Sequence, residues 1–289
     1  MISSYFGENV CEVYQMDNYE KSGYLTGDFK MFHLIDTERK EINFHYHDFN
    51  KILLFIQGDV TYCIEGCSYQ LMPYDIVFVQ AGEVHRPIIN SDMYERIIIY
   101  VSPDFIDSYK GTDYDLNYCF QKAREESSNV LRMHSFHFSR LYNAMSALEH
   151  SFHENDFASS LHQKVLFLEF MIQLNRATLH EHIDYVSDNA SNPKILAMLD
   201  YLNTHLSEDI SVDHLAEKFY ISKYYLMHTF KNETGYTIGN YLTTKRLIHA
   251  RNLIQGGMPI TEACFASGFK NYSSFSRAYK KYFKKAPRE

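Results

Sequence analysis

The chain has 289 residues, 45% of them hydrophobic and 16% aromatic, with 28 Lys+Arg against 36 Asp+Glu for a net charge of −8. That length and apolar content exclude wholesale disorder and suffice for two domains with real cores, and no apolar run approaches the roughly 20 residues of a membrane-spanning helix. The five cysteines, Cys11, Cys63, Cys67, Cys119 and Cys264, are odd in number and scattered, which excludes a disulfide framework and suits reduced thiols.

The first stretch, MISSYFGENVCEVYQMDNYE, is polar and acidic, without the basic and apolar regions of an export signal, so a soluble, cytoplasmic protein with no membrane partner is expected. From Asp28 to Pro103 the pattern is short strands and turns: FKMFHLI, KILLFIQ, GDVTYCIEG, CSYQL, DIVFVQ, RPII and YERIIIYV. Such spacing predicts a β-sandwich or small barrel. Gly58-Asp59, Glu65-Gly66 and Met72-Pro73-Tyr74 supply the turns. Cys63 and Cys67 have the spacing of half a metal site, but no second cysteine pair completes it.

Beyond Pro103 the β signal fades, and helices are predicted over Phe136–Leu148 and Ser159–Leu174. The second contains LHQKVLFLEFMIQL, apolar around most of its circumference. Such a helix is buried between other elements or against a second copy of the chain, so it either packs on the β domain or makes a dimer contact. Leu179–Pro193 is polar and is read as a linker, dividing the chain into 1–178, 179–193 and 194–289.

The last part carries the opposite charge. Residues 190–289 hold 14 Lys+Arg against 8 Asp+Glu, a net +6, which leaves −14 upstream. A basic module on an acidic body fits a polyanion partner, because phosphates release counterions on meeting Lys and Arg. Only helical patterns occur here, and one arrangement occurs twice. Ser211 opens a short helix, Ser222 caps a second containing Leu226 and Phe230, and Gly235 ends it. Some 48 to 49 residues on, Pro259-Ile260 opens a helix through Cys264, Gly268 makes the turn, and a last helix carries Phe275 and Tyr279. Each copy is a helix-turn-helix, and the helical run Ile238–Ile254 joins them as a rod of roughly 25 Å. The last helix has two stripes. Phe275, Ala278, Tyr279 and Tyr282 form an apolar one, while Ser273, Ser276, Arg277, Lys280 and Lys284 recur on another face.

This part resembles the DNA-binding domain of the AraC/XylS family of transcriptional regulators. The matching residues include Ile210-Ser211-Val212-Asp213-His214-Leu215-Ala216, Ser222 with Leu226 and Phe230, Gly235, Tyr241-Leu242, Arg246-Leu247, Ala250, Gly268-Phe269, Ser274-Phe275-Ser276-Arg277 and Pro287. Tyr220 departs from the pattern where the first turn often has Gly, and Cys264 stands where Ala is usual. The resemblance implies that the first recognition helix presents Lys223, Tyr224, Met227, His228 and Lys231 to DNA, and the second Asn271, Tyr272, Ser273, Ser276, Arg277, Lys280 and Lys281. Arg277 suits a guanine edge, Tyr224 and Met227 suit thymine methyls, and the lysines suit phosphates.

His45-Tyr46-His47 and Ala81-Gly82-Glu83-Val84-His85 resemble the two motifs of the cupin fold. Metal-bearing cupins have an acidic ligand where this chain has Lys51, so no metal and no cofactor are expected. His33, His45, His47, Tyr62, His85 and Arg86 are the residues expected to line a wet pocket for a small effector, with a sugar as the default and a fatty acid or bile-salt type open. The two resemblances together imply an α+β two-domain protein: an N-terminal cupin-like β-barrel with following helices and a C-terminal all-α double helix-turn-helix domain. The function they imply is an effector-responsive, sequence-specific regulator, an activator of metabolic genes that is dimeric, binds promoter DNA and works with RNA polymerase. The alternative is a cupin dioxygenase or isomerase with an appended DNA-binding domain.

Overall fold

The computed structural model describes residues 23, 25–133, 136, 139–179, 183–187, 192–283 and 285–287; Cys11, Lys284 and the acidic opening stretch lie outside these. Seven strands arise where alternation predicts them: β1 (Phe29–Asp36), β2 (Asn50–Gln57), β3 (Val60–Ile64), β4 (Cys67–Gln70), β5 (Ile76–Val79), β6 (His85–Ile89) and β7 (Tyr94–Val101). Two more were not legible, β8 (Val130–Met133) and β9 (Ile183–Tyr185). At four and three residues they are short, and unlike β4 and β5 they stand apart from the run of strand and turn signals that ends near Pro103. The linker expected over Leu179–Pro193 is therefore corrected in part. Leu131 to Met133 pair antiparallel with Ile183 to Tyr185.

Six strands form one sheet in the order β1-β7-β2-β5-β8-β9, and three form a second in the order β4-β3-β6. Period-two alternation divides each strand between two environments. Leu53 and Phe55 on β2 point between the sheets, where they meet Val60, Tyr62, Ile64, Tyr69 and Ile98. Ile52 and Leu54 point the other way, into a core with Phe120, Phe167, Phe170 and Leu174. That outer core is roofed by α1 (Pro103–Asp107), α2 (Tyr118–Glu125), α3 (Arg140–Ser151) and α4 (Ser159–Ala177). The sheets enclose one core; the helices close another.

The C-terminal helices are α5 (Pro193–Thr204), α6 (Val212–Lys218), α7 (Lys223–Thr234), α8 (Ile238–Gln255), α9 (Ile260–Ala266) and α10 (Tyr272–Phe283). Except for α9, which follows Pro259, their starts are set by side-chain caps that satisfy otherwise orphaned N–H groups. Ser211 Oγ accepts from His214 N at 3.0 Å, Ser222 Oγ from Tyr225 N at 3.2 Å, and Asn271 Oδ1 from Ser274 N at 2.8 Å. Gly235 stops α7 at φ 78°, a conformation glycine adopts without a steric penalty.

Each helix pair has its own core. Leu247, Ala250, Cys264, Phe275 and Tyr279 hold the second. Around the first, Leu215, Leu226, Phe230 and Tyr241 are joined by Phe44, Cys63 and Val84 from the barrel. The two halves are thus packed together. Tyr46 stacks on Tyr282 with ring centroids 5.0 Å apart, and Glu65 Oε2 accepts from Tyr241 Oη at 2.8 Å while pairing with Lys245 Nζ at 3.2 Å. At Gly82, φ is 82°, a left-handed conformation that favours glycine, and the end of the Ile248 side chain on α8 rests where a Cβ would stand.

Candidate functional site

The outward faces of α7 and α10 form the first site. On α7, Tyr224 and Met227 are 77% and 45% exposed, an unusual display of apolar surface above the buried Leu226 and Phe230. Lys231 is exposed beside them, whereas Lys223 Nζ pairs with Asp213 Oδ1 at 2.9 Å. His228 Nδ1 lies 3.2 Å from Asn232 Nδ2, and its ring stacks along the helix on Tyr224. On α10, Ser273, Arg277, Lys280 and Lys281 are exposed and Ser276 is half-buried. Arg277 Nε donates to Ser273 O at 3.3 Å, one turn back on the same helix. Two residues have structural work: Asn271 caps α10, and Tyr272 is half-buried against Phe275, with centroids 5.9 Å apart.

The two units are tied to each other through α8, whose 18 residues span about 27 Å. Arg246 donates from Nε to Leu206 O at 2.7 Å and from Nη2 to Glu208 O at 2.6 Å, and Lys270 Nζ pairs with Asp209 Oδ2 at 2.7 Å. In the first turn Tyr220 adopts φ 52° and is 90% exposed. A left-handed non-glycine residue there costs roughly 1–2 kcal/mol. It is supported by Ile221 N donating to Ala216 O at 3.0 Å.

The second site lies inside the barrel, where His45, His47, Lys51, Tyr62 and His85 converge. A paired bridge fixes two of them, with His45 N donating to His85 O at 3.0 Å and His85 N to His45 O at 2.9 Å. Their Nδ1 atoms face backbone carbonyls, Asn43 O at 2.8 Å and Glu83 O at 3.0 Å, which sets the Nδ1–H tautomer and leaves Nε2 as an acceptor. Burial, then the charge of Lys51, pulls the His45 imidazole down to about 4, and the same two causes hold His85 well below its ordinary value. Lys51 is 5% exposed; its Nζ donates to Tyr62 Oη at 2.8 Å and stands 3.5 Å from His85 Nε2. Burial, followed by the charge of Arg96, lowers its ammonium to about 7.

His33 and Arg86 stand elsewhere, which corrects the expectation of six residues around one pocket. Strand alternation is the cause, because neighbouring positions on a strand point to opposite faces. His33 faces the helices, where its Nε2 meets Glu95 at 2.9 Å and its Nδ1 meets Glu149 at 2.5 Å. Burial works against it, but the two carboxylates raise its pKa above the usual value. Arg86, next to the inward His85, points outward and lies over the Phe44 ring at 4.2 Å. Lys51 is the barrel residue that motif comparison undervalued; the series 45, 47, 49, 51 along one face was the signal.

The donor atoms of His45, His47 and His85 lie within 4.8 Å of one another, a spacing that suits a divalent cation. Lys51 does not suit one, since an ammonium beside a dication is repelled at short range. With Lys51 protonated, the site therefore misfits a resident metal. Elemental analysis of the purified chain is expected to find less than about 0.1 transition metal per chain, whereas Lys51→Glu, which adds a carboxylate to three imidazoles, is expected to bind Zn²⁺ or Ni²⁺ stoichiometrically. A His45-dependent metal in the wild-type chain would show the assignment to be wrong.

Two family profiles match the chain, "AraC-like ligand binding domain" over residues 33–171 and "Helix-turn-helix domain" over residues 215–289. The HTH-type transcriptional activator RhaS of Shigella sonnei is 24% identical over 246 residues, covering 85% of this chain and 86% of that protein. Among solved structures, the C-terminal domain of AraT from Geobacillus stearothermophilus is 28% identical over 34% of this chain and 82% of that one, with a TM-score of 0.33. ToxT from Vibrio cholerae is 15% identical over 90% of this chain and 97% of that one, at a TM-score of 0.35. Scores this low denote only slight likeness of overall shape.

Proposed function

We propose, from the premise that this chain belongs to the AraC/XylS family of transcriptional regulators, that it is a homodimeric, cytoplasmic activator whose barrel takes a small effector. It is a DNA-binding regulator with a ligand-binding domain. The observation that carries the reading is the pair of capped helices, α7 and α10, with polar and aromatic faces left open on either side of the α8 rod. Residues 1–178 form the sensing and dimerising part and 194–289 the DNA-binding part. RNA polymerase is the expected protein partner, by analogy with activator relatives. The metalloenzyme alternative finds little support, because Lys51 occupies the place of an acidic ligand and no described residue supplies a substitute carboxylate among the three histidines.

Within α10, Arg277 reads and the lysines hold. A planar guanidinium can grip guanine O6 and N7 together, and Lys280 and Lys281, a turn further on, meet phosphates. With the full chain on its own promoter, Arg277→Ala is expected to cost about 1–3 kcal/mol and to relax preference at one or two base pairs. Lys281→Ala is expected to weaken all duplexes equally and to lower the salt slope by about one ion. Binding measured against salt on cognate and random duplexes decides between them. If Arg277→Ala leaves the cognate-to-random ratio unchanged while Lys281→Ala alters it, the two roles are misassigned; binding that ignores salt would sink the DNA-contact reading of α10 itself.

A further inference from the structure

Lys51 is a buried amine in neutral company, where burial already loosens its proton. Its Nζ touches a phenol and approaches an imidazole, and among the described residues no carboxylate pairs with it. The nearby Arg96 is different, since Asp36 Oδ2 holds its Nη1 at 2.6 Å and Tyr94 O accepts from the same atom at 2.9 Å. A charge taken out of water without a counter-ion is costly, and proteins keep one where a ligand or a reaction supplies the missing partner. The surroundings specify more than an anion. Nε2 of His45 and of His85 are acceptors, because each Nδ1–H is committed to a backbone carbonyl. Tyr62 Oη accepts from Lys51 and keeps its own hydrogen to donate. The cluster therefore offers an amine that an anion would keep protonated, a neutral donor and two neutral acceptors, with His45 half-buried at its edge.

We propose that the effector is an anionic polyol, a sugar acid whose carboxylate is held by Lys51 Nζ and Tyr62 Oη and whose hydroxyls donate to His45 and His85. This rests on the reading of the barrel as the effector site. A neutral sugar satisfies the acceptors but leaves the ammonium uncompensated. A fatty acid satisfies the ammonium but leaves the imidazole acceptors unpaired. The 3.5 Å separation of Lys51 Nζ from His85 Nε2 exceeds a normal hydrogen bond, so an incoming carboxylate oxygen exchanges a weak contact for a charge-assisted one. A charge-assisted bond favours the acid over its neutral analogue by about tenfold or more.

The test is calorimetry on the full-length chain with D-galacturonate and D-gluconate, each against its uncharged analogue, D-galactose or D-glucitol, and with oleate as a third class. The acids are expected to bind about tenfold or more tightly than the neutral sugars, and Lys51→Met and Lys51→Gln are expected to remove that preference while circular dichroism stays native. Lys51→Gln keeps a neutral donor near Tyr62 Oη, so it serves as the folded control should Lys51→Met, which leaves that buried oxygen unsatisfied, lose native circular dichroism. Equal binding of acid and neutral sugar, acid binding that survives both Lys51 variants, or no binding of either acid overturns the proposal. His85-dependent binding of a neutral sugar or of oleate, with the acids silent, overturns it and leaves the effector-site reading standing. A promoter reporter that responds to no pool of small metabolites, together with silence in calorimetry, takes both down.

Discussion

Asp75→Ala is expected to destabilise the barrel by about 1–3 kcal/mol, the cost of leaving Met72 N and the partly exposed Arg132 without their buried acceptor. Asp75 is fully buried. Its Oδ1 accepts from Arg132 Nε at 2.9 Å, and its Oδ2 accepts from Arg132 Nη2 at 2.7 Å and from Met72 N at 2.8 Å. The pair is bidentate, the stronger geometry for an arginine and a carboxylate. It also locks β8 against the turn that leads into β5, where sheet pairing alone covers two residues on each strand. Thermal unfolding is expected to drop by roughly 5 °C. The check is a double-mutant cycle in urea with Arg132→Met, in which the double variant is expected to cost less than the sum of the singles. Strict additivity would show that the two side chains do not act together.

The second large effect concerns assembly. On α4, Leu161, Val165 and Ile172 are 61%, 54% and 36% exposed, with Leu168 between them partly buried. The spacing i, i+4, i+7, i+11 makes one stripe, opposite the face that buries Phe167, Phe170, Met171 and Leu174. A helix apolar on both sides calls for cover on both, and a second copy of α4 is the proposed cover. If the proposed dimer forms through this stripe, the wild type is expected to scatter as a dimer and Leu161→Asp with Val165→Asp as a monomer, with unfolding within about 0.5 kcal/mol of the wild type, because both positions are open in the single chain. Losing the linkage between two DNA-binding units is expected to reduce affinity for a two-half-site promoter by about 10²–10⁴, with single half-sites little changed. A variant that remains dimeric would move the interface elsewhere.

What could be read from the sequence was local. Ser211, Ser222 and Gly235 announce helix ends through their own chemistry, and they cap α6 and α7 and close α7 as expected. The first seven strands and the inward His45, His47 and His85 follow from alternation and spacing. Register across strands was not legible, and that is why His33 and Arg86 were grouped with a site whose interior they do not face. Tyr220 illustrates a second limit. Its side chain gives no hint of a left-handed backbone, which the surrounding turn imposes. The contact of Glu65 with Tyr241 spans 176 residues, and nothing near either residue signals the other.

That last contact changes how far the two halves of the protein are interchangeable. Glu65 sits on the tight turn between β3 and β4; its Oε1 accepts from Val84 N at 2.8 Å, one residue before His85, and its Oε2 reaches Tyr241 and Lys245 on α8. Gly82 receives Ile248 of the same helix a few residues away. The rod that joins the two helix-turn-helix units is therefore seated on the strand end that bears the histidine cluster. A chimera that joins this sensor to a relative's DNA-binding half at the connector alone would bring a foreign α8 against Gly82 and Glu65. For such a hybrid to respond to its sensor, the 64–67 turn, the 81–84 loop and the facing side of α8 must be transplanted as one piece.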